Sequence, residues 1–202
     1  MTAAGLVLAA GEGRRFGGPK APAVVDGERL VDRAVRIMRE GGCDPVVVVL
    51  GAWIGDVPGA HIVVNDAWRE GMGSSLRVGL AALDAERVVV SLVDLPGMTG
   101  EAIRRFVDSP ARLAQGAFDG ERGHPVAIGA EHVAGVMAAA TGDRGARDYL
   151  REHANDVIVI EIGDVAWAMT STTVDLQAEG PGDDQELHFA GALNHAQHAQ
   201  VP

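Results

Sequence analysis

The thirteen residues from Leu8 to Lys20 read LAAGEGRRFGGPK, four glycines and three cations directly after an apolar run. Glycine amides can approach phosphate oxygens where a Cβ would block them, and Arg14 and Lys20 supply positive charge for such a ligand. Lys20 follows Pro19, whose fixed backbone would hold it as a stationary counter-charge. Several readings stand at this point. Gly11-Glu12-Gly13 begins like the dinucleotide signature G-x-G-x-x-G, but the third glycine falls at Gly17, and Pro19 and Pro22 prevent a helix from starting at once. A phosphate loop ending in G-K-[ST] fails, because Lys20 lies between Pro19 and Ala21. A nucleoside triphosphate loop, with the amides near Ala10, Gly11 and Gly13 as donors, remains open beside a plain turn carrying solvated cations.

Other groups suit the same chemistry. Asp94 ends the run RVVVSLVD and precedes Leu95-Pro96, which puts a carboxylate at a sheet edge as a Mg²⁺ ligand or, alternatively, as a helix cap. Ser74 and Ser75 follow Gly71 and Gly73 at the expected start of a helix, where hydroxyls and free N–H groups bind an anion or serve as an N-cap. Asp143 and Arg147 open a later helix in the same manner, with Arg147 equally a solvated helix residue. His124 stands in a glycine turn, and Trp53 and Trp68 read as packing or pocket-lining residues.

These groups need a scaffold, and the hydrophobic pattern supplies one. GLVLAA, VVVVL (46–50), HIVV (61–64), RVVVSLV (87–93) and VIVIEI (157–162) read as near-continuous apolar strands, the mark of a mostly parallel sheet buried on both faces. Between them, residues 30–40 place Leu30, Ala34, Ile37 and Met38 on one helix face, and residues 74–83 do the same with Leu76, Leu80 and Leu83. Further helices are expected at 101–107 and 146–153, and FDGERG (118–123) carries the Asp-Gly signal of a hairpin. An α/β fold of three layers, αβα, follows. The expected domain ends near residue 176, and the His-, Gln- and Gly-rich text of 177–202 reads as a disordered tail.

The bulk numbers exclude other classes. With 28 acidic residues against 17 Lys and Arg, the net charge of -11 opposes non-specific binding to nucleic acid or anionic lipid, so a phosphate site must be a local positive island. No apolar run is long enough to cross a membrane. One cysteine, Cys43, excludes an intrachain disulfide and suits a reducing cytoplasm, and its place in the turn GGCDP makes it a poor catalytic thiol.

The loop LAAGEGRRFGGPK resembles the signature L-A-A-G-x-x-x-R-x-G-x-P-K of nucleotidyltransferases similar to molybdenum-cofactor cytidylyltransferase and guanylyltransferase, the MocA and MobA type. NDAWREGMGSSLRVGL (65–80), VDLPGMT (93–99), GHPV (123–126) and GDRGARDYL (142–150) resemble later segments of that family in order, covering residues 5 to about 163. The resemblance implies a Rossmann-like fold of the nucleotide-diphospho-sugar transferase type. It implies a reaction that joins a nucleoside monophosphate to the phosphate of a molybdopterin and releases pyrophosphate. It also implies nucleotide contacts along Leu8, Ala9, Ala10, Gly11 and Gly13, charge neutralisation by Arg14 and Lys20, and Mg²⁺ at Asp94. Ser74, Ser75, Asp143 and Arg147 would then face cofactor or acceptor, with a molybdoenzyme as a possible recipient. The spelling LAAG leans towards CTP over GTP.

Where the family carries a second metal-binding aspartate, this chain reads MTSTTVDL (169–176), with Met169 and Ser171 in place of the carboxylates and Asp175 off position. That departure leaves two alternatives open: a carrier of nucleotide or pterin without turnover, and an NAD(P)H-dependent reductase, because relatives of this type are often called nicotine blue oxidoreductase.

Overall fold

A computed structural model describes residues 3–167, together with the backbone of 186–187. The elements in chain order are β1 (Ala3–Leu8), β2 (Val24–Val25), β3 (Glu28–Arg29), α1 (Leu30–Glu40), β4 (Val46–Leu50), β5 (His61–Val64), α2 (Met72–Ala81), β6 (Arg87–Leu92), α3 (Gly100–Asp108), β7 (Leu113–Phe118), β8 (Glu121–Gly129), α4 (Ala130–Ala139), α5 (Arg147–Glu152), β9 (Val157–Glu161) and β10 (Glu186–Leu187). The MTSTTVDL segment and the expected tail lie outside the described residues, apart from β10, which pairs in parallel with β2.

Seven strands form one sheet in the order β5-β4-β1-β6-β8-β7-β9. β1 runs parallel to β4 and β6, with Leu6 opposite Val47 on one side and Val90 on the other. Within this sheet only β8 runs against its neighbours, pairing antiparallel with β6 and β7. Every residue of β1 and of β4 is buried, which explains why these strands are apolar throughout instead of alternating. Successive side chains then feed two cores. Val7, Val48 and Val89 face α1 and α3 through Val31, Val35, Met38, Ile103 and Phe106. Leu6, Leu8, Val47 and Val49 face α2, α4 and α5 through Leu76, Leu80, Val136 and Leu150. Each fully buried side chain of this kind contributes about 1.5–3 kcal/mol of transfer free energy, so the three layers hold each other in place.

Local signals account for most of the element ends. Asp32 in the first turn and Arg39 in the last complement the dipole of α1, which stops at Gly41. Thr99 caps α3 by accepting a hydrogen bond from the Ala102 amide at 3.2 Å. The Asp-Gly hairpin forms as expected, with Asp119 and Gly120 at φ of 51° and 82° between β7 and β8. The short strands β2 and β3, the full length of β7 and β8, and helix α4 carried no clear sequence signal. α4 is rich in alanine and buries only Val136, so its apolar stripe is too narrow to register as periodicity. α2 begins at Met72, two residues before the expected start.

Candidate functional site

The carboxyl ends of β1 and β6 border a cavity of about 480 Å³, the position where open α/β sheets bind ligands. Its wall includes Leu8, Ala9, Ala10, Gly11, Gly13, Lys20, Trp68, Ser75 and Asp94. The glycine loop winds around one of its own carbonyls: the Phe16, Gly17 and Gly18 amides donate to the Gly13 oxygen at 2.8, 3.0 and 3.3 Å. Those amides are spent, and the Ala9 amide donates to Val49 O at 3.0 Å, which leaves the amides of residues 10–15, among them Ala10, Gly11 and Gly13, as donors for a phosphate. Gly13 itself is obligatory. It sits at φ +61°, and a Cβ there would lie 1.9 Å from the Gly18 oxygen.

Lys20 crosses the cavity floor to Asp94, with Nζ 2.7 Å from Oδ2, joining the glycine loop to the end of β6 across 74 residues of chain. Both side chains remain about one-third exposed, at 34% and 36%, so a ligand can reach them. Arg14 behaves differently. Its side chain is 84% exposed and pairs with Glu12, and it lines the same cavity from the solvent side.

The serine pair also divides. Ser74 is buried and its hydroxyl is engaged with Asn65 Nδ2 at 2.9 Å and with the carbonyls of Ala67 and Gly71 at 3.0 and 2.9 Å. The hydroxyl ties the turn after β5 to α2. Ser75 accepts from the same Asn65 amide at 3.0 Å and still lines the cavity. Neither serine caps the helix; Gly71 occupies the N-cap position without a side-chain bond. Sequence reasoning passed over Asn65, which is 2% exposed and organises this corner.

Asp143 reaches the cavity because two backbones touch. A Cβ on Gly71, at φ +103°, would lie 2.5 Å from the Gly142 carbonyl carbon and 2.7 Å from Asp143 Oδ1. The 142–144 turn thereby seals against the start of α2, and Asp143 lines both the first cavity and a second one of about 220 Å³. Leu8, Met72 and Leu92 are also shared between the two. The second cavity has an apolar floor of Leu76, Val126 and Ile128, with Gln115, Arg122, His124, Arg144 and Arg147 as polar members besides Asp143. Burial pushes the His124 imidazole below its ordinary value of 6.5, which keeps it neutral near pH 7. Gln115 and Arg122 lie on β7 and β8, strands whose extent the sequence did not signal, and this is why they were not anticipated.

Trp53 packs on Gly55 outside both cavities, whereas Trp68 lines the first. Cys43 is buried in the turn after α1 and its thiol is pushed up to about 12 by burial, which removes it from nucleophilic chemistry. Among the described residues no group of three or more His, Cys, Asp or Glu side chains gathers into a metal cage, and no helix is long and apolar enough to cross a membrane.

Comparison with known proteins agrees with this arrangement. A nicotine blue oxidoreductase from Paenarthrobacter nicotinovorans is 37% identical over 188 residues, covering 85% of this chain and 92% of the relative. A probable molybdenum cofactor guanylyltransferase from Opitutus terrae is 37% identical over 102 residues, 47% of this chain and 49% of the relative. Among solved structures, a homologue of Mycobacterium tuberculosis Rv0371c from Mycobacterium sp. strain JC1 superposes with a TM-score of 0.69 at 27% identity, covering 79% of this chain and 85% of that one. The family pattern of the MobA-like NTP transferase domain matches residues 5–157, a span that contains the glycine loop, Asp94 and both cavities, and the chain belongs to that family.

Proposed function

We propose that the chain transfers a nucleoside monophosphate, CMP in preference to GMP, from a nucleoside triphosphate to the phosphate of a molybdopterin-type acceptor. The observation that carries this reading is the adjacency of the two cavities at Asp143, with the Lys20–Asp94 pair in the first. A triphosphate in the first cavity would expose its α-phosphorus towards an acceptor in the second. An acceptor phosphate oxygen forms the new bond to the α-phosphorus, the bond to the bridging α–β oxygen breaks, and the electron pair leaves with pyrophosphate. Alignment and charge neutralisation supply most of the catalysis in such a transfer.

In this scheme Lys20 balances charge on the triphosphate, the amides of Ala10, Gly11 and Gly13 hold its oxygens, and Arg147 with Arg122 draws the acceptor's anion. The donor set suits Mg²⁺, which is usually held by one or two carboxylates plus substrate phosphates, and Asp94 is the residue that would hold it. When bound, the ion neutralises charge on the phosphates. The guanylyltransferase name of one relative and the LAAG spelling of the loop support the pterin acceptor and the cytidine base respectively. A reducing cytoplasm and delivery of the product to a molybdoenzyme complete the reading.

Release of pyrophosphate from CTP and molybdopterin in Mg²⁺, compared with GTP, tests it; release from neither nucleotide sinks the transferase reading. Binding without turnover would favour a carrier. A second reading, NAD(P)H-dependent reduction, is favoured by the name of the relative that spans most of this chain. Oxidation of NADPH in the presence of a quinonoid dye, with no pyrophosphate from CTP or GTP, would establish that reading instead.

A further inference from the structure

Asp94 stands on the loop 93–99, which leaves β6 and turns into α3 outside any strand or helix. Three successive carbonyls of that loop are nevertheless bound. The Met98 amide donates to Leu95 O at 3.0 Å within the loop, and the Trp167 amide, from beyond β9, donates to Gly97 O at 3.3 Å. Between them the Pro96 oxygen accepts from a side chain, that of Arg33 on α1, at 2.8 Å. Pro96 is buried, so bulk water cannot replace this donor.

Arg33 occupies its place at a cost. It lines an apolar void of about 10 Å³ together with Leu30, Ala34 and Ile37 of α1 and Met98 and Ile103 from the α3 side. Its Nε is buried without a hydrogen-bond partner. A seam of this kind would take another apolar residue if packing were its only demand, because an unsatisfied buried donor is destabilising. The neighbouring arginines also behave differently. Arg29 pairs with Asp32, Arg36 with Glu28 and Glu40, and Arg39 donates to Gly59 O, whereas the Arg33 hydrogen bond runs to the loop two residues beyond Asp94. The Lys20–Asp94 pair is about one-third exposed on both sides, and an ion pair so open to water fixes its own geometry poorly. The backbone on which Asp94 stands must therefore be set from elsewhere.

We infer that Arg33 is a positioning residue for Asp94, acting through the Pro96 carbonyl. It holds the carboxylate where it meets Lys20. On the nucleotide reading above, on which this second step rests, it also holds the carboxylate where it would meet the metal.

Lys20, the only lysine in the chain, reports on the placement of Asp94 without any nucleotide. An amine-reactive reagent is applied to the wild type, Asp94→Asn, Arg33→Met, Arg33→Gln, Arg33→Lys and Arg39→Met, and labelling at Lys20 is followed by peptide mass spectrometry. Asp94→Asn removes one charge-assisted hydrogen bond and sets the upper limit, about tenfold faster than wild type. Arg33→Met, which fills the seam, and Arg33→Gln, which stays polar but falls short of Pro96, should each label severalfold faster than wild type. Arg33→Lys keeps a donor on a long stem, and Arg39→Met breaks only the exposed bond to Gly59 O, so both should label as the wild type does. Wild-type labelling in both Arg33→Met and Arg33→Gln overturns the proposal. Equal acceleration in Arg39→Met also overturns it, because α1 as a whole would then have loosened. In calorimetric titrations with CTP, the gain in affinity on adding Mg²⁺ should shrink severalfold in Arg33→Met and persist in Arg39→Met. A wild type that binds no CTP, with the labelling order intact, removes the nucleotide reading and leaves Arg33 as the residue that positions Asp94.

Discussion

Lys20 and Asp94, 74 residues apart in the chain, meet at 2.7 Å across the cavity floor. The amine proposed to bind phosphate and the carboxylate proposed to bind metal thus neutralise each other. In the proposed transfer, a metal–nucleotide complex would replace this one contact by two, Lys20 with phosphate and Asp94 with metal.

This exchange predicts a specific effect of Asp94→Asn. Freed from its anion, Lys20 should bind nucleotide more tightly in the absence of Mg²⁺ than it does in the wild type, and the gain on adding Mg²⁺ should vanish. Calorimetric titration with CTP, with and without the metal, measures both. Weaker metal-free binding in the variant would contradict the exchange.

Lys20→Ala removes a charged hydrogen-bond donor, which is worth about 1.5–3 kcal/mol, so nucleotide affinity should fall on the order of 10- to 100-fold. Lys20 is the only lysine in the chain. An amine-reactive reagent read by peptide mass spectrometry therefore reports its state directly, and saturating nucleotide should protect it from labelling.

Gly13→Ala forces a side chain into the left-handed region and against the Gly18 oxygen. Strain of about 1–3 kcal/mol is concentrated in the loop, so nucleotide binding should drop by roughly tenfold or more. Because the core is untouched, the melting temperature should change little, which differential scanning calorimetry can verify.

Arg87 is 2% exposed and donates to the carbonyls of Phe106 and Val107 in the last turn of α3 and of Ser109 and Ala111 after it. Arg87→Met leaves these oxygens without their donor, a loss of about 3 kcal/mol. For a domain of this size the Tm should fall by about 10 °C, with nucleotide binding at low temperature retained. A Tm within a degree or two of wild type would show that the carbonyls are satisfied otherwise.

The depressed pKa of His124 sets a pH dependence. The unfolded chain takes up a proton on this ring near its ordinary value of 6.5, whereas the folded chain does so only at lower pH. Within that window the unfolded state binds more protons, so stability falls as pH drops below 6.5. Urea unfolding between pH 7.5 and 5.5 should show a shallower decline in His124→Gln than in the wild type; parallel curves would contradict the assignment.

The parallel core was legible because burial on both faces demands unbroken apolar strands, and β1, β4 and β6 carry them. The glycine loop was legible for a related reason: close backbone approach and a positive φ at Gly13 leave a compositional trace. α4 and the lengths of β7 and β8 left none, since alanine and glycine suit either state and only tertiary packing chooses. The same limit divided the candidate residues. Sequence placed Ser74 and Ser75 side by side, but only the Asn65 contacts decide that Ser74 is spent inside the fold while Ser75 lines the cavity. Spacing could name Lys20 and Asp94 one at a time. Their pairing, and the meeting of Gly71 with Gly142 that brings Asp143 between two cavities, depend on how β1, β6 and α2 pack in space, because contacts between residues some seventy positions apart are set by the tertiary fold and not by local pattern.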